Sequence, residues 1–263
     1  MPDRRPRAQT HPQPARRVDA LRGRVLVITR PVGTGTALFR RVRALGGVPL
    51  SLPGLALRAA DDPAAVRAQL REALADERVI FTSPAAVRHA AALTALRTRA
   101  TVLAVGQGTA RALRRHGVAQ PLCPGQQDSE GLLAHPSLQA LRDRRVALVG
   151  APGGRGVLRR ELAARGARLR EVQVYHRVPP RLDRRHTTAL QALPRSARVL
   201  LSSQEALHNL CSLLPPPALR RLCAATAVVS SERLAAAARA AGFRRVVQAA
   251  SALADDMLAA AAR

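Results

Sequence analysis

The chain has 263 residues, 47% of them hydrophobic, enough for one large or two ordinary domains with substantial cores. Only 2% are aromatic, with no Trp and Tyr175 as the single tyrosine, so the interior is built from Leu, Val and Ala. Few rings remain to stack exposed bases, which argues against a single-strand nucleic-acid binder. The net charge of +26 comes from 43 basic residues that are all Arg, against 17 acidic ones. Their spacing in Arg67, Arg71 and Arg111, Arg114, Arg115 reads as solvated helix faces and a biased composition, not as a nucleic-acid or membrane surface.

Residues 1–19 carry four Pro and no apolar periodicity and read as a disordered basic tail. No apolar h-region and no long uninterrupted apolar stretch occurs, so a cytoplasmic protein outside the membrane is expected. Cys123, Cys211 and Cys223 are odd in number and lack CxxC spacing, which suggests neither a disulfide framework nor a zinc site.

From residue 24 onward short apolar runs alternate with helical patterns, the signature of an α/β fold with parallel sheets. In chain order the units are RVLVITRP (24–31), RVIFTSPAAV (78–87), TVLAVGQGTARAL (101–113), RRVALVGAPGGRGVLRREL (144–162), ARVLLSSQEAL (197–207) and TAVVSSERLAAAARAAG (226–242). They fall into two sets of three. RVLVITRP resembles RVALVGAP about 120 residues on, VIFTSPAAV resembles VLLSSQEAL, and LAVGQGTARALRRHG resembles AVVSSERLAAAARAAG. Such a period is a whole α/β half, so two similar domains with a ligand cleft between them are expected. The Pro-bearing segments 51–63 and 175–185 suit hinges.

Ligands of parallel sheets bind beyond the carboxyl ends of strands. The residues there are Thr29 and Arg30, Thr82 and Ser83, Gly106 through Thr109, Gly150 through Arg155, Ser202 and Ser203, and Ser230 and Ser231. Small residues admit a ligand to the backbone, and the following helix N-termini favour anions. Arg30 and Arg155 would add charge-assisted bonds to a polycarboxylate. Each Ser or Thr alone reads equally as an ordinary helix N-cap.

Other chemistries lack their residues. The segments GTGTAL, GQGTAR and GAPGGR miss glycines of a dinucleotide fingerprint, and the absence of Lys removes P-loop and Schiff-base chemistry. Neither GxSxG nor HExxH occurs. His176 beside Tyr175 invites an acid/base pair, but successive strand residues face opposite ways.

The ITRP, FTSPAAV, AVGQGTARAL, SEGLL (129–133), VGAPGGRGVL and EVQVYHR motifs, with the final VVSSERLA, resemble the uroporphyrinogen-III synthase family in order and spacing over about residues 24–250. The resemblance implies two flavodoxin-like domains joined by a two-stranded linker. One would comprise residues 20–52 plus 178–263 and the other 55–174. It also implies a cofactor-free lyase of heme biosynthesis, which takes hydroxymethylbilane, a linear tetrapyrrole with eight carboxylates, loses water, inverts the terminal ring and closes the macrocycle.

The matching Tyr175 would then be the acid assisting the departing hydroxyl. A free phenol titrates near ~10, so assistance rather than full proton transfer is expected, and its loss should slow the enzyme without abolishing turnover. Thr109, in the GQGT loop and facing the cleft, would contact substrate together with Arg30, Ser83, Gly106, Arg155, Ser202, Ser203 and Ser231. Where the family often has a polar or basic residue after the Pro of FTSP, this chain has Ala85 and Ala86. The expected partner is the small-molecule substrate, handled by a monomer with at most transient contact to the preceding pathway enzyme, and with no nucleic acid, membrane or metal. The rival expectation is a two-lobed protein that clamps an anionic small molecule without catalysis.

Overall fold

A computed structural model describes residues 20–153 and 156–263. The expected N-terminal tail and Arg155 lie outside the described residues. The first half contains β1 (Val25–Ile28), α1 (Thr36–Ala44), β2 (Val48–Ser51), β3 (Ala56–Ala59), α2 (Pro63–Ala73), β4 (Arg78–Phe81), α3 (Pro84–Leu93), β5 (Thr101–Ala104), α4 (Gln107–Arg115) and α5 (Ser129–Leu133). The second half contains β6 (Arg145–Gly150), α6 (Val157–Ala164), β7 (Arg168–Gln173), β8 (Tyr175–Val178), α7 (Arg184–Gln191), β9 (Arg198–Leu201), α8 (Gln204–Leu213), α9 (Pro216–Cys223), β10 (Thr226–Val229), α10 (Glu232–Ala240), β11 (Arg245–Gln248) and α11 (Ala254–Ala261).

The described residues form two compact units. The first combines the chain up to Leu55 with Pro179–Arg263, and the second is the continuous stretch Ala56–Val178. The first unit holds a five-stranded parallel sheet in the order β11-β10-β9-β1-β2. The second holds a four-stranded parallel sheet, β5-β4-β6-β7, and a separate antiparallel pair, β3 with β8.

Alternation along the strands makes both faces of each parallel sheet apolar, as helix-covered sheets require. In β1 the side chain of Val27 enters one core, with Val199, Leu201, Ala227 and Val229, while Leu26 and Ile28 enter the other with Leu200 and Val228. The second unit repeats the device. Val79, Phe81, Val102, Ala104, Ala147 and Val149 pack on one face, and Ile80, Leu103 and Val146 on the other.

The repeated segments occupy matching places. Reading each sheet from one edge gives β2-β1-β9-β10-β11 and β7-β6-β4-β5. The ITRP strand β1 therefore corresponds to the VGAP strand β6, β9 to β4, and β10 to β5. The place of β11 is taken by a single parallel bridge between Leu103 and Leu122. Each sheet has one topological switch point, between β1 and β9 in the first unit and between β4 and β6 in the second, where the crevice for a ligand opens. No helix among the described residues is long and apolar enough to cross a membrane, and no group of three or more His, Cys, Asp or Glu among them could hold a metal ion.

Candidate functional site

At the switch point of the second unit the chain leaves β4 through Thr82 and Ser83 and leaves β6 through Gly150–Gly153. These loops and Tyr175 line a cavity of about 340 Å3, with Gln173, Arg159 and Arg177 contributing polar groups. Two glycines shape it. A Cβ at Gly150 would lie 2.4 Å from Thr82 Oγ1, and Gly153 adopts φ +79°, a left-handed conformation that disfavours side chains. The Arg177 Nη2–H donates to the Pro152 carbonyl at 3.1 Å and braces that loop.

Tyr175 begins β8, opposite Ala59 of β3, and is buried with only 6% of its surface exposed. Its ring packs into the core of the second unit, so it is no free surface phenol. The hydroxyl lies 3.2 Å from Ser83 Oγ, and the ring stacks on His89 with centroids 5.1 Å apart and planes 18° from parallel. His176 is half-buried, with Nε2 at 3.7 Å from Asp61 Oδ2, away from the tyrosine as strand alternation requires.

The serines are local caps first. Ser83 Oγ accepts the Ala86 N–H (3.0 Å), Ser203 Oγ the Ala206 N–H (3.2 Å) and Ser231 Oγ the Leu234 N–H (3.4 Å), at the starts of α3, α8 and α10. Ser202 is exposed just after β9. Thr109 departs from expectation: it sits inside α4, not in a loop, and is buried. The GQGT segment already runs from the N-cap Gly106 into the first turn of that helix. Gly106 is the extended N-cap of α4. The first amide of that helix, Gln107 N–H, donates to Gln127 Oε1 at 3.0 Å, so a side chain already occupies the place foreseen for a ligand oxygen. The value of glycine at 106 is close approach, since a Cβ there would lie 3.3 Å from the same Gln127 oxygen.

In the first unit Thr29 is buried and donates to the Leu200 carbonyl at 2.7 Å, tying the end of β1 to β9. Arg30 follows it, half-buried in the wall of a cavity of about 300 Å3 that Arg40, Arg43, Thr36 and Ser51 also line. Burial pushes its guanidinium below the ordinary value, yet an arginine stays charged. The cavity wall contains no carboxylate, so three cations face it without a neutralising partner in the wall. His89 and Gln127 were missed by sequence reading. His89 is legible only as an i+6 neighbour of the Ser83 cap, and Gln127 has no motif at all.

Two parallel α/β units with polar, capped loops at the carboxyl ends of their strands, and a tyrosine hydroxyl built into one of them, define an α/β enzyme for an anionic small molecule. The family model for uroporphyrinogen-III synthase HemD matches residues 36–259. The uroporphyrinogen-III synthase of Salmonella typhimurium is 31% identical, covering 72% of this chain and 80% of that protein, and the Escherichia coli one is 28% identical with the same coverage. Among solved structures, a mutant uroporphyrinogen III synthase of Thermus thermophilus matches with TM-score 0.58 at 22% identity, covering 90% of this chain and 96% of that one. The Helicobacter pylori uroporphyrinogen-III synthetase matches with TM-score 0.58 at 14% identity, covering 90% and 97%. The chain belongs to the uroporphyrinogen-III synthase family.

Proposed function

We propose that this lyase of heme biosynthesis closes hydroxymethylbilane to uroporphyrinogen III with Tyr175 as the group that assists departure of the terminal hydroxyl. The observation that carries this reading is the Tyr175 hydroxyl in the wall of a polar cavity at a sheet switch point, within a chain of this family. In the overall reaction a C–O bond breaks and the hydroxyl leaves with one proton as water. The hydroxymethyl carbon so exposed bonds to the already substituted α-carbon of the terminal pyrrole. The bridge bond at that carbon breaks and re-forms at the ring's free α-carbon, which gives up its proton, so the ring is inverted as the macrocycle closes. No electrons are exchanged, so the balance needs no oxidant. A hydrogen bond donated by a phenol to the leaving oxygen lowers the cost of the first step.

The substrate's carboxylates suit Arg30 and the two other guanidinium groups of its cavity, which lack an anion in its wall. Ser83, Gly106, Ser202, Ser203 and Ser231 serve as loop-end contacts, Gly106 through its backbone. Thr109, in the first turn of α4, and Arg155 complete the set of proposed substrate contacts. The working form is a cytoplasmic monomer with at most transient contact to the preceding pathway enzyme.

The experiment is to supply freshly made hydroxymethylbilane to the purified protein and to separate the oxidised porphyrin isomers by chromatography. Type III product is expected. Only the spontaneous type I isomer, from protein shown to be folded, would leave a binding protein without catalysis in its place.

A further inference from the structure

Helix α3 touches Tyr175 at two points. Its N-cap, Ser83, meets the phenol oxygen at 3.2 Å, and His89, in the same helix, covers the ring face at 5.1 Å. Burial and the neighbouring Arg88 cation hold the His89 imidazole below its ordinary value, so at neutral pH it stacks as an uncharged ring.

The hydrogen count around Ser83 is restrictive. Its oxygen already accepts the Ala86 N–H at 3.0 Å, leaving one O–H and one lone pair for other partners. Of the two directions open to the Ser83–Tyr175 bond, only one leaves the phenol proton available. If Ser83 donates, the tyrosine O–H points outward to a ligand; if Ser83 accepts, that proton is spent on the helix cap.

We infer that Ser83 and His89 are positioning residues for Tyr175: Ser83 donates to the phenol oxygen and frees its proton for the departing hydroxyl, while His89 fixes the ring so that this direction is kept. The inference rests on the reading of Tyr175 as the assisting acid.

Six variants test it. Ser83→Asp keeps a capping oxygen for Ala86 but can only accept, so it turns the phenol proton inward; kcat should fall about tenfold, whatever the added charge does to KM. Ser83→Thr, which can cap and donate, should restore kcat. His89→Leu fills space without an aromatic face and should lower kcat about fivefold, whereas His89→Phe should recover most of it. Should His89→Leu fail to fold, His89→Met decides the same question.

The chain has one Tyr and no Trp, so its intrinsic fluorescence comes from Tyr175 alone. Its intensity and lifetime should change in Ser83→Asp and His89→Leu, a signature that capping or packing elsewhere would not produce. Tyr175→Phe slowed, with wild-type kcat in both Ser83→Asp and His89→Leu, overturns the positioning roles and leaves the acid standing. Undiminished turnover in Tyr175→Phe overturns the acid and the positioning with it.

Discussion

Gly54 follows β2 in a segment whose sequence suggests a hinge, yet the structure wedges it against α8. Its N–H donates to the Thr29 carbonyl at 3.1 Å, and its own carbonyl accepts from Asn209 Nδ2 at 2.9 Å. A Cβ there would stand 2.6 Å from both the Cβ and the carbonyl oxygen of Ala206 and 2.8 Å from its Cα. The obstruction is mostly the first turn of a helix, so no flexible side chain can swing away. Gly54→Ala should therefore cost near the upper end of the overpacking range, about 3 kcal/mol. For a chain of this size that corresponds to a Tm lower by roughly 6–12 °C. The strain falls on the turn in which Ser203 caps α8, so the Ala206 N–H bond to Ser203 should weaken as well. Differential scanning calorimetry of Gly54→Ala is the assay, with Gly125→Ala as control because a Cβ at Gly125 meets nothing within 4 Å. The control should melt with the parent or slightly above it. A Gly54→Ala melting point within about 1 °C of the parent would refute the wedge.

Arg30→Gln should raise KM for hydroxymethylbilane about tenfold while sparing kcat, by loss of a charge-assisted contact; steady-state kinetics with KM within about twofold of the parent would remove Arg30 from substrate binding. Ser231→Ala should lower stability by about 1 kcal/mol in urea unfolding, since its oxygen caps α10. If KM rises instead with stability intact, the hydroxyl serves the ligand and not the helix. Burial, with Cys211 nearby, pushes the Cys223 thiol up to about 11. A raised thiol keeps its proton longer in the folded state, so the stability it contributes is whole below the ordinary thiol value and is lost as pH rises from there to about 11. Cys223→Ala should flatten that alkaline decline in urea titrations, and an unchanged slope between the two proteins would reject the assignment.

Much of the fold was legible because its signals are local. Apolar runs ending in small or hydroxyl residues gave the parallel strands, and Ser83, Ser203 and Ser231 fell at helix starts as their cap chemistry predicts. The candidate site was legible only in part. Tyr175 was found through a resemblance, but nothing near it in sequence announces Ser83 and His89, which lie on the other side of β5 and β6. Thr109 was misplaced because a Gly-rich segment looks like a loop, whereas Gly106 is only the cap and the helix begins at the next residue. The α4 amide expected to meet a ligand was already taken by Gln127, twenty residues away.

By itself the sequence determined the class of fold, six of the eleven strands with their loop ends (β1, β4, β5, β6, β9 and β10), and the existence of two related halves. These follow from side-chain alternation, cap chemistry and motif repetition over a few residues. Which copy of a strand pairs with which was decided by the tertiary structure alone. The two halves carry the same local propensities, so β1 and β6 are equally fit to lie beside β4 or β9. The choice is made by long-range burial: β1 lies beside β9, with Leu26 opposite Arg198, and β6 lies beside β4, with Val146 opposite Arg78. Each repeat thereby divides itself between the two units, and the antiparallel pairing of β3 with β8 brings Tyr175 into the core of the second.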